Sequence, residues 1–405
     1  MSSSDVPGGD MPFFDLRNLF GAGGGDPWAT AGDLAAAIAS EGGTEANVDP
    51  VARMAIEELV RVAELHVAQA TGVALPSNTN VVPVTRTAWT RNSLDTFRPF
   101  FERFGEAVSS GMSVDDADPA DPLGAMLGQL FASMGPMLVS VTAGSMLGHL
   151  GQRALGQYDL PIPRESGDVL IVPATIDATA VEWDVPFDDL RLWVLLHELT
   201  AHAVLSVRHV KSRLDSLLLD FASAFRANPE AIGEQFSSLG DLTDLSQLSQ
   251  MGEQLNDPDL LLSMMRTPAH DLLVPQFDAL VASILGFVGH TVAEIGRPLI
   301  GTIDTITEQF RQRWIDVAPA DRFMERLLGL EITADTFHRG DRFIDGVVTR
   351  AGDEGLARLW ADELDMPTAA EVDAPGLWLA RIGLDGDVGE ISAEIPDDLS
   401  GLDDL

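Results

Sequence analysis

Residues 193–204 read WVLLHELTAHAV, an apolar run interrupted by three ionisable side chains, His197, Glu198 and His202. The spacing is one residue longer than in the helical zinc grip H-E-x-x-H, in which two histidines bind the metal and the glutamate activates a water. Here the second histidine follows the first by five residues, and Ala201 stands where the motif needs it. At about 100° per residue, an i,i+4 pair lies roughly 40° apart on a helix, whereas an i,i+5 pair lies roughly 140° apart. His197 and His202 can therefore share an ion only if a π-bulge absorbs one residue. On a regular helix continued further, Glu198, His202 and His209 would fall within about 40° of one another instead. Three arrangements stay open: a bulged zinc site, a shifted Glu-His-His site, and a site that has decayed.

The flanks bear on that choice. Between Leu192 and Val207 the trio supplies the only ionisable groups, and apolar side chains point in every direction around the helix. Such a helix is expected to be buried on all sides. A carboxylate inside it needs a metal or a hydrogen-bonding partner, because isolation costs several kcal/mol. A self-satisfied Glu-His pair meets that need as well as a metal does.

Composition narrows the function classes. The chain has 405 residues, 45% of them hydrophobic, with seven Trp and eighteen Phe, enough for a large globular core. It lacks cysteine, so any metal must be held by His, Asp or Glu. The net charge is −38, from 63 acidic and 25 basic residues, and Lys211 is the single lysine. Nucleic-acid binding is disfavoured, because it depends on clustered Lys and Arg. The first residues (MSSSDVPGGDMPFFDLRNLF) have no basic segment leading into an apolar one, so a cytoplasmic location is expected.

Along the chain, helical signals dominate. Residues 1–47 read as a flexible tail with a short docking segment at Phe13–Phe20, residues 48–383 as the folded domain, and residues 384–405 as an acidic disordered tail. A periodic helix spans Val48–Thr71 and stops at Gly72, and a polar loop with Pro76 and Pro83 follows. A second helix covers 85–104, kinked or divided at Pro99. Pro122–Gln152 contains no Asp, Glu, Lys or Arg, which raises a membrane span; its many glycines and polar residues favour close helix packing in a soluble core. Gly156–Val185 reads as non-helical, with a strand at Val169–Val172, and Asp188 or Asp189 is the expected N-cap of the central helix. Asn228–Pro258 is polar and peripheral. Leu272–Thr307 reads as a long helix, and 322–329 and 341–352 as shorter amphipathic ones.

Several segments occur together in a familiar order: GQRALGQYDLPIP (151–163), DDLRLWVLLHELTAHAV (188–204), RFMERLLGLE (322–331), HRGDRFIDGVV (338–348) and DAPGLWLARIG (373–383). Over roughly residues 48–383 the chain resembles an actinobacterial family labelled zinc-dependent metalloproteases or hydrolases, some of them tagged with deazaflavin-coenzyme biosynthesis. The resemblance implies a mostly α, zincin-like helical fold with a small β element before the central His-Glu helix. It implies zinc as cofactor and a peptide or protein as substrate. Carried over by position, Glu198 is the catalytic base and His197 the first ligand, with His202 the second if one residue has been inserted. In ALVASILGFVGHTV (279–292) the family is expected to carry Glu-Gly where this chain has Leu285-Gly286, so the distal ligand is missing. His290 is the nearest replacement, with Glu294 and His209 as alternatives. Tyr158, the single tyrosine, reads as a turn-packing residue. Two functions follow: a zinc-dependent metallohydrolase, or a degenerate relative that keeps the fold as a binding or scaffold module.

Overall fold

The structure, a computed structural model, describes residues 26–111, 122–226, 265–315 and 319–384, together with Leu262. The Phe13–Phe20 segment, the polar stretch 228–258 and the acidic C-terminal residues lie outside the described residues. The architecture is mostly α with one small parallel sheet, as expected from the sequence.

Folding begins well before residue 48, which corrects the expectation of a flexible tail up to that point. Helix α1, Pro27–Ala39, starts with Asp26 accepting the Trp28 N–H at 3.1 Å and with proline at its first position. Its alanines Ala31, Ala35 and Ala39 are fully buried. Helix α2, Pro50–Thr71, is capped by Asp49 and ends at Gly72, whose φ of 63° suits a residue without Cβ. The supposed polar loop then contains a strand, β1 (Asn80–Pro83), and α3 (Arg86–Gly111) runs through Pro99 as one helix.

Helix α4, Pro122–Arg153, packs on α1 and α3. Small residues permit the approach: a Cβ on Gly144 would sit 2.5 Å from the Ala31 carbonyl oxygen. Strand β2 (Asp168–Ile171) pairs with β1 in parallel, Val81 opposite Val169. Immediately after it, Pro173 opens a helix, α5 (Pro173–Glu182), within a stretch read as non-helical. Proline ends a strand but also suits the first turn of a helix, where its missing N–H is not needed.

The central helix α6, Phe187–Leu205, has every residue from Leu192 to Leu205 buried. It packs against α2 and α5. Its N-cap is Pro186 rather than an aspartate. Asp189 instead accepts from the Thr302 hydroxyl at 2.8 Å, and Asp188 pairs with Arg191. Leu195, Leu196, Leu199 and Val204 are fully buried, each stabilising the fold by about 2 kcal/mol. Together they outweigh the several kcal/mol that one buried carboxylate costs. The helix is thus held by its apolar neighbours, whatever its polar trio does.

At Ser206 the chain turns by 86° into α7, Arg208–Ala224. Helix α8 (Pro268–Gly296) packs on α6 and is separated from α9 (Ile303–Ile315) by a turn, so the expected single helix over 272–307 is two. By length and hydropathy α8 could cross a membrane, yet 56% of its most apolar window is buried within the fold. Helix α10 (Pro319–Leu327) leads to α11 (Ala334–Arg358), which lies across α8. There a Cβ on Gly286 would meet the Gly340 backbone at 2.5 Å, and one on Gly340 would meet the Ala282 oxygen at 2.2 Å. A 3₁₀ turn and two short helices, α12 (Ala369–Asp373) and α13 (Pro375–Arg381), complete the described chain.

Candidate functional site

Helix α6 is regular α-helix from end to end, with no π-bulge between His197 and His202. The two imidazoles consequently leave the axis about 140° apart and meet different neighbours.

His197 faces a small pocket of about 30 Å³ shared with Trp193, Leu285, Val288, Phe310 and Arg311. Its ring stacks on Trp193, with centroids 5.3 Å apart and planes 14° from parallel, and lies 4.9 Å from the Phe310 ring. Such a volume admits water but is far below that of a ligand cleft. Leu285 lines this same pocket, so the position where the family resemblance called for another ligand does face His197, with an alkyl group in place of a donor.

Glu198 points towards the GQYD turn that precedes β2 and is 1% exposed. Its Oε2 accepts the Tyr158 backbone N–H at 2.7 Å, and its Oε1 lies 3.3 Å from His197 Nδ1. Gly156 makes room for it, since a Cβ there would stand 2.4 Å from the carboxyl carbon. Burial pushes the Glu198 carboxyl above the usual carboxylate range, opposed by the His197 hydrogen bond and charge. The protonated form is favoured by the surroundings.

His202 occupies the far side of the same turn. Tyr158 Oη is 2.8 Å from its Nδ1, and Thr79 Oγ1 is 3.2 Å from its Nε2. Burial lowers its pKa to about 4, so the ring is neutral at physiological pH. Tyr158, itself buried and raised in pKa by desolvation, therefore joins Glu198 to His202 through one backbone and one side-chain hydrogen bond.

The remaining candidates fall elsewhere. His209 sits at the start of α7, beyond the 86° bend, which removes the continuous helix its alignment with Glu198 and His202 required. His290 is half-buried on α8, and Glu294 is exposed and paired with Arg297. A protein zinc site gathers three or four N or O donors at about 2 Å from the ion. Among the described residues no three His, Asp or Glu side chains come together in that way. The set His197, His202 and His290 is not assembled, and neither is the set with His209 or Glu294. The donor geometry does not fit zinc.

The sequence reading missed the groups that contact the trio. Thr79 and Trp193 contact the trio, and Trp89 fixes the turn by donating to the Gly156 carbonyl at 2.7 Å. Arg164 reinforces the same turn from the other side, donating to the Gln157 carbonyl at 2.8 Å. The sequence reading gave Tyr158 only a turn-packing role, with no sign of its pairing with His202.

A model of the zincin-like metallopeptidase family matches residues 27–379. A solved structure, described as a candidate hydrolase with a novel fold from Chloroflexus aurantiacus, matches with a TM-score of 0.62 at 22% identity, covering 89% of this chain and 99% of that one. At that identity the likeness is one of fold. No curated protein matches the chain.

Proposed function

We propose that this chain, which belongs to the zincin-like metallopeptidase family, uses its His-Glu helix as a hydrogen-bonded polar core and acts as a non-catalytic binding or scaffold module. One observation carries the reading. The unbroken helix sends His197 and His202 to different sides, and each ring already has protein partners, Trp193 and Glu198 for the first, Tyr158 and Thr79 for the second. In such a core Glu198 is satisfied by Tyr158 and His197, and the pocket beside His197, at about 30 Å³, is far below the size of a substrate cleft.

The second reading, a zinc-dependent hydrolase acting on peptides with Glu198 as base, is favoured by the family membership and by retention of the His197-Glu198 pair. One experiment separates the two. The purified full-length protein is assayed for zinc by mass spectrometry and for cleavage of a peptide library. The scaffold reading expects well under one equivalent of zinc and no turnover. Zinc near one equivalent, with hydrolysis abolished in Glu198→Gln while the metal is kept, would establish the hydrolase instead.

A further inference from the structure

A second and much larger cavity, of about 430 Å³, lies between α3, α7 and the loop 162–166. Its size is that of a small-ligand site. The floor is apolar, formed by Phe97, Phe100, Ile162 and Leu218, all buried. Two carboxylates stand over it from facing helices, Asp95 on α3 and Asp215 on α7.

Three neighbouring cations leave the two carboxylates unpaired. Arg164 lines the wall, but its guanidinium is buried in the protein, giving Nη2 to the Gln157 carbonyl and stacking 4.9 Å over Phe97, with Nε and Nη1 enclosed away from the cavity. Lys211 is held by Glu165 at 2.7 Å and by the Arg164 carbonyl at 3.3 Å. Arg98 is held by Glu102 at 2.7 Å. Asp95 and Asp215, by contrast, form no hydrogen bond or ion pair with any described residue. Burial raises the Asp215 carboxyl above its usual range, against the pull of Lys211. A half-buried carboxylate of this kind gains from any cation delivered to it without its water.

We propose that this cavity binds a small organic cation, a primary ammonium on an apolar body, with the charged head against Asp215 and Asp95 and the body on Phe97, Phe100 and Leu218. Charge complementarity selects the head, reinforced by the long-range attraction of a chain with net charge −38. The apolar floor selects the body through burial of its hydrocarbon surface. The site does not depend on whether α6 carries a metal.

Calorimetric titration of the full-length protein at about 0.15 M salt, where long-range attraction is screened beyond roughly 8 Å, tests this. The probes share one body: 4-phenylbutylamine, 4-phenylbutanol and 4-phenylbutyrate. The amine is expected to bind at least tenfold more tightly than the alcohol, and the carboxylate to show no binding. Asp215→Asn should weaken the amine tenfold or more, and Asp95→Asn less, with the alcohol unchanged and thermal unfolding intact. The wild-type preference series stands even if a variant folds poorly. Equal affinities for the three probes, or an unchanged amine affinity in a folded Asp215→Asn, overturns the proposal. So does binding of a basic peptide without binding of the free amine, which would make the cavity part of a protein-docking surface.

Discussion

Replacing Glu198 by glutamine or by alanine separates a buried hydrogen-bonding role from a charged one. In the wild type the side chain is 1% exposed and makes two contacts, Oε2 with the Tyr158 N–H at 2.7 Å and Oε1 with His197 Nδ1 at 3.3 Å. Glutamine has the same shape: its carbonyl oxygen can take the Tyr158 N–H, and its amide group can face His197 Nδ1. Both contacts survive and the buried charge disappears. Because burial raises the Glu198 pKa, the folded protein holds a proton there that the unfolded chain releases first as pH rises. That contribution is fully present below the unfolded carboxyl pKa of about 4.5 and is lost as pH climbs through the folded value. Glu198→Gln should therefore match or exceed the wild type in stability at pH 8, and its advantage should shrink at pH 5. Alanine leaves the Tyr158 N–H orphaned, at about 1–3 kcal/mol. It also removes packed methylene volume worth about 1–2 kcal/mol. The sum, roughly 2–5 kcal/mol, should appear in urea unfolding followed by tryptophan fluorescence. If glutamine proves as damaging as alanine, or loses more stability at pH 8 than at pH 5, the fold needs the carboxylate's charge and the polar-core argument fails.

Three further outcomes are expected. His202, lowered by burial to about 4, loses its stabilising neutral form as pH falls: the unfolded ring takes a proton below about 6.5, and the difference grows to roughly 3 kcal/mol by pH 4. In His202→Gln this part of the acid sensitivity should vanish, which urea midpoints at pH 7 and pH 4.5 would reveal. Tyr158→Phe removes the hydroxyl bonded to His202 Nδ1 and should cost about 1–2 kcal/mol, with the His202 ring resonances shifted in NMR spectra. Gly340→Ala would press a methyl group to 2.2 Å from the Ala282 oxygen and should lower thermal stability by at least about 2 kcal/mol, whereas Gly376→Ala, with a nearest neighbour at 3.8 Å, should leave it unchanged.

What could be read in advance followed from local signals. Helix α2 was visible from its periodicity and from Gly72, strand β2 from a short β-branched run, and the burial of α6 from apolar residues on every face. Strand β1 was not visible, because NVVP owes its conformation to pairing with a segment 88 residues later. Helix α1 was hidden among flanking glycines, and only its packing against α4 makes an alanine-rich stretch stable. At the site, the angular conflict between His197 and His202 was present in the spacing. The residues that resolve it, Thr79 and Tyr158, are brought there by the sheet and its approach turn, and no pattern near HELTAH points to them.

The crossing of α8 and α11 restricts how this chain can change. Gly286 and Gly340 meet backbone to backbone, so the helices can neither slide nor roll without a main-chain collision. Leu285, one residue from that contact, lines the His197 pocket from a position set by the close backbone packing. A donor placed at position 285 would thus enter that pocket from a fixed mount. One substitution there could introduce a carboxylate into the His197 pocket, while bringing the two histidines to i,i+4 spacing would require a deletion within a helix buried on all sides. Position 285 can thus be altered without repacking the two helices, whereas the spacing of the histidines cannot.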